Sequence, residues 1–284
     1  MQLKTSLLLL FTICYVNIAL SQNPDPVKLQ VMYKFRFMND TTARTEFTND
    51  DMVLLIGEKL SVYKSYASYR IDSMFKTNQG NISGGVISGG TISVVGGPTN
   101  NSDAQYTILA KNQLLSSNRI FVTQYLVDES AKQTHWTITG ETKEIAGIAC
   151  QKATGRVKGR DYAAWFAPEL PYSLGPWKLN NLPGLILEAS DSEGEVFFEF
   201  ERMSSEASTA TVELPNKATQ VSLSEYLKVK AAFDADPQGF MRANAPPPPP
   251  GMSSMGNITV SGRPINPAAN VKKTVFNNKL EKEN

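Results

Sequence analysis

Ala167–Ser190 reads APELPYSLGPWKLNNLPGLILEAS, with Pro168, Pro171, Pro176 and Pro183 and two glycines, Gly175 and Gly184, leading into an apolar run. Proline fixes φ and lacks an amide hydrogen, so this density of prolines excludes a helix or a central strand before Leu185. The stretch therefore predicts a rigid, turn-rich cover. Pro183-Gly184 has the composition of a type II turn, with proline set for the first central position and glycine for the positive φ of the second. Leu185–Leu187 then opens a buried strand. A cover of this kind needs a sheet beneath it, and the flanking sequence supplies the period.

Val27, Leu29, Val31, Tyr33, Phe35 and Phe37 alternate with Lys28, Gln30, Lys34 and Arg36, the pattern of a half-buried strand. Short runs at 51–57 and 59–69, the second turning helical towards Phe75, continue an antiparallel meander. Further strands are predicted at 104–110, 119–128, 133–139, 147–158, 160–166, 196–200 and 207–214. Residues 78–102, with Ile-Ser-Gly-Gly at Ile82 and again at Ile87, read as a flexible insertion, because glycine loses the most entropy on ordering. Calcium-binding glycine repeats are excluded there by the missing aspartates. One helix is predicted, over 222–234: Ser222 and Glu225 form a capping box, and Leu223, Tyr226, Leu227 and Phe233 recur at helical spacing, giving a face to pack on the sheet. After Asp236 the composition turns to Pro246–Pro250, Gly, Ser and Asn, so 237–284 reads as an extended, largely disordered tail. The expected fold is mainly β: a large curved antiparallel sheet, an open half-barrel loosely like lipoprotein carriers, with one packed α-helix.

Residues 1–21 read as a secretory signal, with Lys4 before the apolar run Leu7–Leu20 and small residues near a cleavage point after Ser21. No other stretch has the length of a membrane helix. The mature domain is expected over 22–236 and the protein in the periplasm or cell envelope. Removing the signal takes one of the 28 basic residues and none of the 27 acidic ones, leaving no net charge and no electrostatic footprint for nucleic acid. Cys14 leaves with it. Cys150 then stands alone, is read as a buried small apolar residue, and cannot form an internal disulfide.

The run from His135 to Ala189 resembles the GLPGLI family of secreted Bacteroidetes-type proteins. The resemblance rests on I-x-G-x-x-C-x-K-A from Ile145, G-R-x-Y-x-A-W-F from Gly159, Gly175-Pro176, and Asn181-Leu182-Pro183-Gly184-Leu185-Ile186. Asn181 stands where the family has its first glycine, and asparagine tolerates positive φ better than other residues with a Cβ. The family has no established activity, so the resemblance implies location, fold and a structural turn rather than a reaction.

Catalytic chemistry finds few candidates. One histidine, His135, and one mature cysteine do not make a zinc site, no G-x-S-x-G elbow accompanies the histidine, and no cofactor or metal is expected. A hairpin centred near Glu144 would set Cys150 opposite Ile138, out of reach of His135. Glu188, Asp191, Glu193, Glu195, Glu199 and Glu201 are read as a solvated face, with a carboxylate hydrolase as the alternative. Met241, Met252 and Met255 are read as scattered tail residues rather than a soft-metal site. Arg156, Lys158 and Arg160 alternate around Gly159 and are expected to share a face near Asp161. Trp165, Phe166, Tyr172 and Trp177 cluster beside the cover, as core or as the lining of an apolar groove. The leading expectation is an envelope protein that binds an apolar ligand, such as a lipid, or a protein partner; an accessory subunit of an outer-membrane transport complex, contacting through the tail, is a further alternative.

Overall fold

Leu29–Met38 forms the strand on which the molecule is built (β2), buried along nearly its whole length. In the computed structural model, which describes residues 24–42, 46–77, 104–130, 134–205, 210–244 and 278–282, it pairs with Phe47–Ile56 (β3) on one side and Val196–Ser204 (β12) on the other. The sheet grows away from β3 through Leu60–Ser65 (β4), Gln105–Ile108 (β5), Gln113–Ile120 (β6), Thr123–Asp128 (β7) and Thr219–Ser222 (β14). It grows away from β12 through Leu185–Asp191 (β11), Arg160–Ala167 (β10), Ile148–Val157 (β9) and Trp136–Ile145 (β8). Among the described residues these twelve strands make one mainly antiparallel sheet that does not close into a barrel, as the alternation predicts. Only the edge pair β14–β7 is parallel.

The hairpins follow from local backbone chemistry. Ala146-Gly147 (φ 50° and 83°) joins β8 to β9, and Lys158-Gly159 (φ 47° and 81°) joins β9 to β10. Two successive positive φ values match the twist of the flanking strands. The first turn lies beyond Glu144, so the register differs from the expected one: Cys150 faces Lys143, and Ile138 faces Ala153.

Both faces of the sheet carry a core. One buries Tyr33, Phe35, Leu54, Phe166, Leu187 and Phe198 under the Pro-rich loop, whose Leu174, Trp177, Leu179 and Leu182 complete the cluster. The other buries Met32, Val53, Leu55 and Leu115. That second face is capped by Tyr66 and Tyr69 of the helix Tyr66–Thr77 (α1) and by the small ribbon of Asp25–Pro26 (β1) with Thr211–Val212 (β13).

Several expectations are revised. The capping box at Ser222 is present, but Leu223–Ala235 (α2) has no buried residue and touches the sheet through Tyr226 against Tyr125, its face being spread by Lys228, Lys230 and Ala232. Gly184 does not have positive φ. Its glycine is required because a Cβ there would fall on the Ala167 carbonyl, while the left-handed residues of the loop are Trp177 (φ 55°) and Asn181 (φ 70°). The segment read as an extended tail is folded at both described ends: Pro237–Ala243 is a short helix (α3), and residues 278–282 lie against the sheet. The expected signal, the Gly-rich insertion 78–102, and Met252 and Met255 fall outside the described residues.

Candidate functional site

The concave face changes character from strand to strand. β2 and β12 contribute Phe35 and Phe198, 5.0 Å apart between ring centres, and β3 contributes Met52. Moving outward, β5 and β6 present Gln105, Ser116 and Asn118. Trp177 reaches in from the Pro-rich loop and stacks on Phe198 at 6.4 Å, with an angle of 13° between rings. Together these surround a cavity of about 390 Å³, apolar on one wall and polar on the other. A four-residue span of the same chain, Asn278–Glu281, forms part of its lining.

Tyr63 sits at the boundary between the walls. It is 3% exposed, and its hydroxyl has no hydrogen-bond partner among the described residues. Burial, with Tyr33 and Asp50 nearby, pushes its pKa well above the ordinary tyrosine range, so it stays a neutral hydroxyl. Tyr33 differs in donating to the Ile186 carbonyl at 2.8 Å. A buried hydroxyl left unpaired costs roughly 1–3 kcal/mol, so the Tyr63 position is a polar point that a bound group could satisfy.

The segment that lines the cavity at Asn278–Glu281 is held by an ion-pair network. Arg160, 3% exposed, uses all five of its N–H groups. Nη1 donates to Asp191 (2.6 Å) and Glu195 (2.8 Å), Nη2 to the Asn278 side chain (2.6 Å) and the Lys279 carbonyl (2.7 Å), and Nε to the Leu280 carbonyl (3.1 Å). Lys178 spans Glu129 and Glu281, and Lys158 also reaches Glu129. Desolvation pushes the Glu129 carboxyl up, but the combined pull of Lys178 and Lys158 outweighs it and holds the pKa below the usual range.

The sequence-derived candidates are dispersed by this arrangement. Of Trp165, Phe166, Tyr172 and Trp177, the structure brings only Trp177 to the cavity. Phe166 is fully buried in β10, Tyr172 is half-buried against the same core, and Trp165 lies under Lys143 (4.6 Å) and Lys152 (5.8 Å). Gly175, Pro176, Leu182, Leu185 and Ile186 are buried structural parts of the cover; a Cβ on Gly175 would stand 2.7 Å from the Leu179 carbonyl oxygen. Pro183 is exposed, and Asn181 accepts from the Asn112 side chain. The cover is closed by backbone bonds from Leu185 to Leu170 and from Ile186 to Leu174.

Arg156, Lys158 and Arg160 do not share a face, because the Lys158-Gly159 turn separates them: Arg156 pairs with Asp161 in solvent while Arg160 turns inward beside Tyr162. Cys150 is buried and free, and desolvation pushes its thiol up to about 11. His135 is exposed and precedes β8, whereas Cys150 lies opposite Lys143, so they form no pair. Among the described residues one carboxylate trio, Asp191, Glu193 and Glu195, gathers within 4.8 Å. Arg160 and Lys282 already occupy its oxygens, which makes it an ion-pair cluster rather than a pair of free acids for hydrolysis.

Sequence reasoning missed Phe35, Met52, Tyr63, Gln105, Ser116 and Asn118 as cavity residues, since a strand pattern gives a face but not which strands meet across it. Arg160 carried a signal: it heads the inward series Arg160, Tyr162, Ala164, Phe166, where a cation must be paired.

No family model matches the chain, and no curated protein matches it. Two solved structures, of PNGF-II in the P21 and C2 space groups, are similar to it at 12% and 13% identity with TM-scores of 0.46 and 0.45. Each likeness covers 70% of this chain and 32% of the other, so the chain spans about a third of those proteins' length.

Proposed function

We propose that this is a secreted cell-envelope protein of the GLPGLI type that binds an apolar small molecule bearing one hydrogen-bonding group in its concave cavity. One observation carries the binding reading: an aromatic wall of Phe35, Trp177 and Phe198 meets the buried, unpartnered hydroxyl of Tyr63 in a single cavity. Its volume of about 390 Å³ falls within the range of roughly 300–1,000 Å³ that small-molecule sites occupy. Apolar contact would supply affinity, and Tyr63, with Gln105 and Asn118 beyond it, would orient the polar end. The secretory pattern of residues 1–21 and the motifs between His135 and Ala189 support the location.

The test is native mass spectrometry with lipid extraction on mature protein recovered from its own periplasm without detergent. A stoichiometric adduct is expected, reduced at least tenfold in occupancy by Trp177→Ala and less by Tyr63→Phe. A clean unliganded mass, together with no saturable uptake of the amphipathic anionic dye 1-anilinonaphthalene-8-sulfonate, would refute the reading.

A further inference from the structure

The segment that lines the cavity at Asn278–Glu281 is held mostly through side chains. Asn278–Lys282 is not a strand of the sheet. Only its two ends make backbone pairs, Asn278 N–H to the Asn39 carbonyl (3.1 Å) and Lys282 N–H to the Lys158 carbonyl (2.9 Å). Between them the sheet reads the segment with side chains. Arg160 donates to two successive carbonyls, of Lys279 and Leu280, which face the same way because the backbone bends at Leu280 and Glu281; such contacts read backbone shape whatever its side chains. Sequence is read at two further points. The Asn278 amide, 8% exposed, donates to the Met38 carbonyl (2.7 Å) and Glu195 (3.0 Å) while accepting from Arg160, so both of its ends are matched. Leu280 packs on the main core.

The flanking charges are complementary as well. Lys282 pairs with Glu193, and Glu281 with Lys178. Gly159 lets the two segments touch, since a Cβ there would collide with the Lys282 carbonyl. Yet only Asn278 in this segment is fully buried, and Lys279 and Glu281 are exposed. Few buried apolar contacts place the segment nearer the low-stability end of local opening than β2 and β3. Glu281 and Lys178 also line a second cavity, of about 630 Å³, together with Lys282.

We propose that the surface around Arg160, where Asn278–Lys282 lies, is a recognition site for a short bent peptide carrying asparagine and, two residues on, leucine. Asn278–Lys282 is its occupant in cis, and release of that strap opens the cavity to ligand. The gating half rests on the ligand-binding reading above; the peptide half does not.

The experiment uses the full mature chain and a fluorescent peptide covering residues 276–284. In an Asn278→Ala, Leu280→Asp variant the chain's own strap cannot seat, so the labelled peptide is expected to bind at least tenfold tighter than to the wild-type chain. A peptide bearing the same two changes should bind neither. Equal binding to both chains, or none to the variant, would overturn the proposal. Because that variant could fail to fold, hydrogen exchange on the wild-type chain is the second measurement. Amides of Asn278 and Lys282 should exchange at least a hundredfold faster than those of β2, and exchange only through global unfolding would equally overturn it. Uptake of 1-anilinonaphthalene-8-sulfonate by the variant should exceed wild type several-fold. Peptide exchange without that rise would sink the cavity reading and the gating with it, while leaving the peptide site standing.

Discussion

Arg160→Met is the substitution that most directly probes how the Asn278–Lys282 segment is held. The methionine keeps an unbranched stem of similar length, so the change removes charge and donors more than volume. Five hydrogen bonds disappear, and two buried carboxylates, Asp191 and Glu195, each about 5% exposed, lose the cation they face. They are not left bare. Asp191 still accepts from the Glu195 and Val196 amides, at 2.7 and 3.0 Å, and Glu195 still accepts from Asn278 at 3.0 Å. Removing one partner of a buried ion pair costs about 3–5 kcal/mol, and the surviving bonds put this site at the lower end, about 3 kcal/mol. With a urea slope of about 1–3 kcal/mol per molar, the unfolding midpoint should fall by about 1 M or more. Arg156→Met is the control, because Arg156 and Asp161 are 60% and 62% exposed in their side chains and such pairs contribute about 0–1 kcal/mol. Arg160→Lys should lie between the two, since it keeps a charge but has three donors for five acceptors. Urea unfolding followed by tryptophan fluorescence measures all three. If Arg160→Met and Arg156→Met fell within 1 kcal/mol of each other, the account of Arg160 as the organising cation of the buried ion-pair network would be wrong.

Three further outcomes follow from the same structure. Hydrogen bonding to Lys282 depresses the Glu193 pKa, and Lys178 with Lys158 depresses that of Glu129 against desolvation. A depressed carboxylate contributes stability above its unfolded pKa of about 4.3 and loses it as pH falls through the folded value, so strap protection and urea midpoint should stay flat from pH 5.5 to 8 and drop below pH 4. Cys150, buried and with its thiol pushed up to about 11, should resist iodoacetamide at pH 8 in the native protein and react at once in urea; ready native labelling would contradict its placement. Gly184→Ala drives a methyl group into the Ala167 carbonyl and should destabilise the fold by about 1–3 kcal/mol in the same urea assay, while Gly194→Ala, with no neighbour nearer than 3.9 Å and only its φ of 68° to strain it, should cost about 1 kcal/mol.

The amino-acid sequence by itself determined what depends on neighbours along the chain. Alternation in Val27–Phe37 and in Arg160–Phe166 makes strands because a pleated backbone puts successive side chains on opposite faces. Ala146-Gly147 and Lys158-Gly159 make hairpins through their own φ values, Ser222 with Glu225 starts α2 through a bond three residues long, and the prolines of 168–183 keep the cover irregular. The mainly β class and the open curved sheet follow from these local rules. What the tertiary structure decided is everything that joins distant residues. β6, with Ser116 and Ser117 buried against apolar expectation, is defined by its partners on both sides rather than by its own pattern. The cavity requires β2, β4, β6 and the cover to meet, and no periodicity says that Trp177 rather than Trp165 arrives there. The strap is the extreme case. Asn278 meets Met38 across 240 residues and Arg160 meets Leu280 across 120, through side chains reading backbone carbonyls that every residue possesses. Recognition of that kind leaves no repeat in the sequence, because its specificity lies in position and not in composition.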